Sequence, residues 1–104
     1  MAAVGQPYTH GNWVVQEGQE DEFIKRWTEF TEWAHQNSPG AESFVLLRNV
    51  AEPRQFVSFG SWADSDSVNA WRSTPEFAQR MARCREVCED FRPADSTLAA
   101  AVGE

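Results

Sequence analysis

The chain predicts an α+β domain of element order β-α-β-β-α-β, the ferredoxin-like split-βαβ arrangement in which both helices lie on one face of an antiparallel sheet. Three observations point there. Phe23, Trp27, Phe30 and Ala34 recur at i, i+4, i+7 and i+11, and Phe77, Met81, Cys84 and Cys88 repeat the same spacing, so two amphipathic helices are expected. Each follows a β-compatible run, and between the helices two apolar runs are joined by the short loop Val50-Ala51-Glu52-Pro53-Arg54. A length of 104 residues suits one core, so residues 1–104 are expected as one domain, ordered over 8–101 with short flexible ends.

Strand one is expected from Tyr8 to Val15, closed by Glu17-Gly18. Alternation places Thr9, Gly11, Trp13 and Val15 on one side and His10, Asn12 and Val14 on the other. The His10 and Asn12 side is expected to face the helices. Glu20, Asp21 and Glu22 suit a helix first turn, and helix one runs to about His35, before the breaker Asn37-Ser38-Pro39-Gly40. Ser43 to Asn49 and Gln55 to Trp62 are strands two and three. Asp64-Ser65-Asp66-Ser67 offers caps for a short helix carrying Val68 and Trp71, and Ser73-Thr74-Pro75-Glu76 starts a second one, so a broken helix is expected. Phe91 to Ala101 closes the chain as strand or helix, because Pro93 limits ladder pairing and Ala99-Ala100-Ala101 suits either state.

Strand two carries Phe44 and Leu46 on one side and Val45 and Leu47 on the other; strand three sets Phe56 and Trp62 against Val57 and Phe59. Helices cover only one side. Leaving the other wet forgoes roughly 1.5–3 kcal/mol for each large side chain, so a homodimer packed through its helix-free faces is expected. Five Trp and seven Phe in so short a chain point the same way.

The net charge of −7 disfavours nucleic acid and anionic membranes as partners. The start of the chain has neither a basic region nor a signal-length apolar run, and no stretch reaches the roughly 18 apolar residues of a membrane span. A cytoplasmic protein is expected. Cys84 and Cys88, four apart on a helix, read as small core hydrophobes rather than a disulfide or metal pair. There is no glycine-rich nucleotide loop or clustered metal-ligand set, so neither a cofactor nor a metal is expected.

His10-Gly11-Asn12-Trp13-Val14-Val15-Gln16-Glu17-Gly18, Phe59-Gly60-Ser61-Trp62 and Ala70-Trp71-Arg72-Ser73-Thr74-Pro75-Glu76-Phe77 resemble the antibiotic biosynthesis monooxygenase (ABM) family of dimeric α+β barrels over nearly the whole chain. That family includes cofactor-independent oxygenases of aromatic polyketides and quinols and haem-degrading enzymes. The haem-degrading pattern is similar at Asn12, Trp27 and Trp71. Where it has an iron-ligating His, this chain has Met81, a weaker ligand less suited to oxygen activation.

The resemblance implies an aromatic substrate, dioxygen, and a pocket between helices and sheet. A cofactor-free oxygenase ionises a phenol or quinol so that the substrate supplies its own electrons. Asn12 could give an amide N–H and Trp71 an indole N–H to the oxyanion, with His10 as base. Phe23, Trp27, Phe77 and Met81 are the expected substrate-binding wall. Each has a plainer alternative: Asn12 could satisfy a backbone group, His10 could sit at the rim, and the aromatics could be core. The alternatives for the whole protein are a non-catalytic small-molecule-binding dimer and, less favoured, a haem-binding or haem-degrading protein.

Overall fold

The computed structural model describes residues 3–103; Met1, Ala2 and Glu104 of the expected 1–104 domain lie outside the described residues. The elements are β1 (Pro7–Val15), α1 (Glu20–Asn37), β2 (Ala41–Arg48), β3 (Gln55–Trp62), α2 (Ser65–Arg72), α3 (Pro75–Glu86) and β4 (Cys88–Thr97). Gly18, at φ +85°, makes the turn out of β1 that an L side chain resists. The helix after β3 is broken as expected. The Asp64 carboxylate accepts the Ser67 N–H at 2.8 Å to start α2, and Thr74 Oγ1 accepts the Phe77 N–H at 3.1 Å to start α3, with Pro75 in the first turn.

Two details differ from expectation at the C-terminal end. The apolar spacing of α3 extends to Cys88, yet the helix stops at Glu86, and Cys88 opens β4 with its thiol donating to the Cys84 carbonyl at 3.3 Å. The closing segment is a strand only to Thr97. Pro93 is tolerated within it because the sheet order is β2-β3-β1-β4, which makes β4 an edge whose outward side needs no N–H partner.

All neighbouring strands are antiparallel, and β1 and β3 form the centre, with Thr9 opposite Gly60, Gly11 opposite Ser58 and Trp13 opposite Phe56. The helices cover the face that carries Trp13, Val15, Phe56 and Trp62, all at most 2% exposed. The expected orientation of β1 is therefore reversed. Trp13 packs on Phe23 of α1 at 5.0 Å between ring centroids, while Asn12, on the opposite face, is exposed. The energetic reason is direct: burying an indole and Val15 gains far more than burying an amide that then needs partners. Arg26 ties α1 to α3, donating to Glu22, to Glu86 and to the Arg83 carbonyl. The helix-free face keeps its apolar character, with Val45 50% and Leu47 56% exposed.

Candidate functional site

A cavity of about 420 Å³ lies between the helices and the sheet. Its origin is a run of small residues on the helix-facing side of the two central strands. Thr9 and Gly11 on β1 meet Gly60 and Ser58 on β3, whereas Trp13, Phe56 and Trp62 on the same face fill the space around them. The glycines let neighbours close in. A Cβ on Gly11 would stand 2.5 Å from the Phe91 ring, and one on Gly60 would stand 2.8 Å from Phe44 and 2.9 Å from Thr9 Oγ1. Helical residues supply the roof: Trp27, Phe30 and Thr31 from α1, Trp71 and Arg72 from α2, and Phe77, Met81 and Arg85 from α3. Trp71 anchors the aromatic wall, 4.6 Å from Phe77, 4.7 Å from Trp62 and 5.6 Å from Phe30 between ring centroids.

The polar groups of this cavity are few and mostly neutral. Trp13 Nε1–H donates to Ser58 Oγ at 3.0 Å, and Trp62 Nε1–H donates to Thr9 Oγ1 at 3.1 Å. The Thr31 hydroxyl is spent on its own helix, donating to the Trp27 carbonyl at 2.9 Å. Trp71 is only 6% exposed, and its indole N–H is buried with no hydrogen-bond partner. Native interiors seldom leave such a donor unpaired, because it forfeits about 1–3 kcal/mol of solvation. Charge gathers at the rim. Arg72 grips Asp95 with two bonds of 2.8 and 2.6 Å, which hold the Asp95 carboxyl below the usual carboxylate range and the guanidinium above its own. Arg85, also on the wall, sits over the Phe91 ring at 5.8 Å. The two thiols are not nucleophiles at neutral pH, since burial pushes Cys84 up to about 12 and Cys88 up to about 11.

Of the residues expected from the sequence, the structure brings Trp71, Trp27, Phe77 and Met81 together on the cavity wall. It does not bring Asn12 there. Asn12 lines a separate, smaller pocket, with Leu47 and Val57 of the helix-free face. The His10 side chain shares that face, stacked against Phe59 and hydrogen-bonded through Nε2 to Ser96 Oγ at 2.7 Å, so strand alternation leaves its backbone beside the cavity. The pairing of Asn12 with Trp71 around one oxyanion, and His10 as the base within the cavity, are corrected by this geometry. Phe23 is core rather than wall: it is fully buried against Trp13 and Phe56. The residues that sequence reasoning missed are Thr9, Ser58, Arg72, Asp95 and Arg85. A signal for the first two existed, because small residues at period two opposite glycines in apolar strands mark room above a sheet.

Comparisons with known proteins agree with this architecture. The family model for antibiotic biosynthesis monooxygenases matches residues 8–83. No curated protein matches the chain. Among solved structures, a variant of SnoaB, a cofactor-independent oxygenase from Streptomyces nogalater, superposes with a TM-score of 0.87 at 18% identity, covering 96% of this chain and 99% of that one. A conserved protein of unknown function from Bacteroides thetaiotaomicron gives 0.80 at 16% identity, over 92% and 100%. A candidate antibiotic biosynthesis monooxygenase from Nitrosomonas europaea gives 0.79 at 13% identity, over 93% of each chain. At these identities the likeness is one of fold.

Proposed function

The chain belongs to the antibiotic biosynthesis monooxygenase family, and from that premise we propose that it oxidises an aromatic phenol or quinol with dioxygen, without a cofactor. The observation that carries this reading is Trp71, whose ring lines an aromatic cavity and whose buried indole N–H has no partner. A phenol of pKa about 10 is ionised to about one part in a thousand at pH 7, and each unit of depression takes about 1.4 kcal/mol of preferential stabilisation of the anion. Trp71 donates to the substrate oxygen as charge develops there. The guanidinium group of Arg85 at the rim favours the same anion, while that of Arg72 is already neutralised by Asp95. The ionised ring then reacts with dioxygen: the ring hydroxyl and the C–H opposite it become two carbonyls, the new carbonyl oxygen coming from dioxygen and its other oxygen atom leaving as water. All four electrons come from the substrate.

The helix-free sheet face, with Val45, Leu47, Val57 and Phe59, serves as the interface of a homodimer in this reading, and it encloses Asn12. The free thiols of Cys84 and Cys88 suit the reducing cytoplasm. Among the described residues, no helix is long and apolar enough to cross a membrane.

Oxygen uptake with 1-naphthol, followed together with 1,4-naphthoquinone formation and with no added cofactor, tests the activity. Trp71→Phe keeps most of the apolar surface and removes the donor, so kcat should fall about tenfold or more. Turnover at the parent rate would assign Trp71 to packing. Binding of naphthol with no oxygen consumption would identify a non-catalytic binding dimer instead.

A further inference from the structure

The sheet floor of the cavity holds two hydroxyls whose hydrogen-bonding sense is already decided. An indole N–H can only donate, so Ser58 Oγ and Thr9 Oγ1 are both acceptors toward Trp13 and Trp62. Neither hydroxyl makes another hydrogen bond among the described residues, so each still has its own O–H to place. Both belong to the helix-facing side and line the cavity, Ser58 opposite Gly11 and Thr9 opposite Gly60. As diagonal neighbours across one strand pair they are roughly 7–8 Å apart.

From this we propose that Ser58 and Thr9 form a donor platform, locked by Trp13 and Trp62, that selects ligands presenting acceptor oxygens, carbonyl or ionised hydroxyl, toward the sheet. It rests on the reading that the cavity takes an aromatic ligand, and it names which ones. Trp71 lines the same cavity, its own indole N–H buried and without a partner. The cavity's one carboxylate, Asp95, is already held twice by Arg72. A bare aromatic hydrocarbon leaves both hydroxyl donors unpaired, whereas an oxygenated ring of the same shape satisfies them. Ser58 and Thr9 are thus specificity-determining residues, and Trp13 and Trp62 are positioning residues that act through them.

The test compares two ligands of nearly one shape, 2,3-dimethyl-1,4-naphthoquinone and 2,3-dimethylnaphthalene, by equilibrium dialysis; the methyl groups block thiol addition. The parent protein should prefer the quinone by about tenfold or more, and Ser58→Ala and Thr9→Val should each lower that preference roughly three- to tenfold. Hydrocarbon affinity should hold within about twofold in both variants, the expectation when only donors are removed from an apolar wall. Trp13→Phe keeps the Ser58 hydroxyl and removes the group that fixes its sense, so the preference should fall roughly two- to threefold there. An unchanged preference in Ser58→Ala and Thr9→Val overturns the platform. Should Ser58→Ala lose both ligands, an unchanged preference in Trp13→Phe overturns it. A loss confined to Trp71→Phe overturns the platform and leaves the Trp71 role standing. A parent protein that binds neither ligand overturns both readings.

Discussion

Trp62→Ala is expected to lower the stability of the fold by about 3–5 kcal/mol, the range for truncating a large aromatic in a packed core. Trp62 is fully buried. Its ring lies 4.7 Å from Trp71 and 5.8 Å from Phe44, so its removal opens the space between β3, β2 and α2. It also strips Thr9 of its hydrogen-bond donor. Domains of this size have about 5–15 kcal/mol in total, so the variant should retain little folded protein at moderate urea concentrations. Urea unfolding followed by circular dichroism gives the number. Trp62→Phe serves as the control, since it restores most of the volume and leaves the hydrogen bond unmade. A loss below about 1 kcal/mol in Trp62→Ala would mean that this side chain is not the core anchor its burial implies.

The second large effect concerns assembly. Leu47 on β2 and Val57 on β3 are directly opposite one another on the helix-free face, and the combined change Leu47→Asp with Val57→Asp places four carboxylates in a two-fold interface. An uncompensated buried charge costs about 3–5 kcal/mol, enough to turn a dimer stable at micromolar concentration into monomers. Both side chains are at the surface of the single chain, so the monomer itself should keep its far-ultraviolet spectrum. Mass in solution decides the matter. A parent protein already monomeric at micromolar concentration, or a variant that keeps the dimer mass, would remove this face as the interface.

How much of this was legible in advance depends on which property each residue expresses. The helix spacing of Phe23, Trp27 and Phe30 and the caps at Asp64 and Thr74 are local, and local rules found them. The two-sided character of β2 and β3 was equally plain. That same two-sidedness hid the orientation of β1, because apolar residues on both faces gave no hint of which one the helices would take. Trp13 decided it, and the likeness of Asn12 to a pocket residue pointed the other way. Ser58 and Thr9 depend on strand register, which places each beside a glycine of the neighbouring strand, and their acceptor role depends on indoles far away in sequence. The partnerless Trp71 N–H is less local still, since it is defined by what every neighbour fails to supply.

The neutrality of the cavity's donors has a kinetic consequence. Indole N–H groups and aliphatic hydroxyls keep their protons across the whole working range of an enzyme, and Asp95, held low by Arg72, stays ionised through it. These groups then contribute no inflection of their own to a plot of log kcat/KM against pH between about 5 and 9. The break that tracks ionisation at the donors belongs to the compound being oxidised. Across a series of ring-substituted naphthols, the break should move in step with each naphthol's own acidity while the plateau rates follow electron richness, so the profile reports the substrate rather than the catalyst.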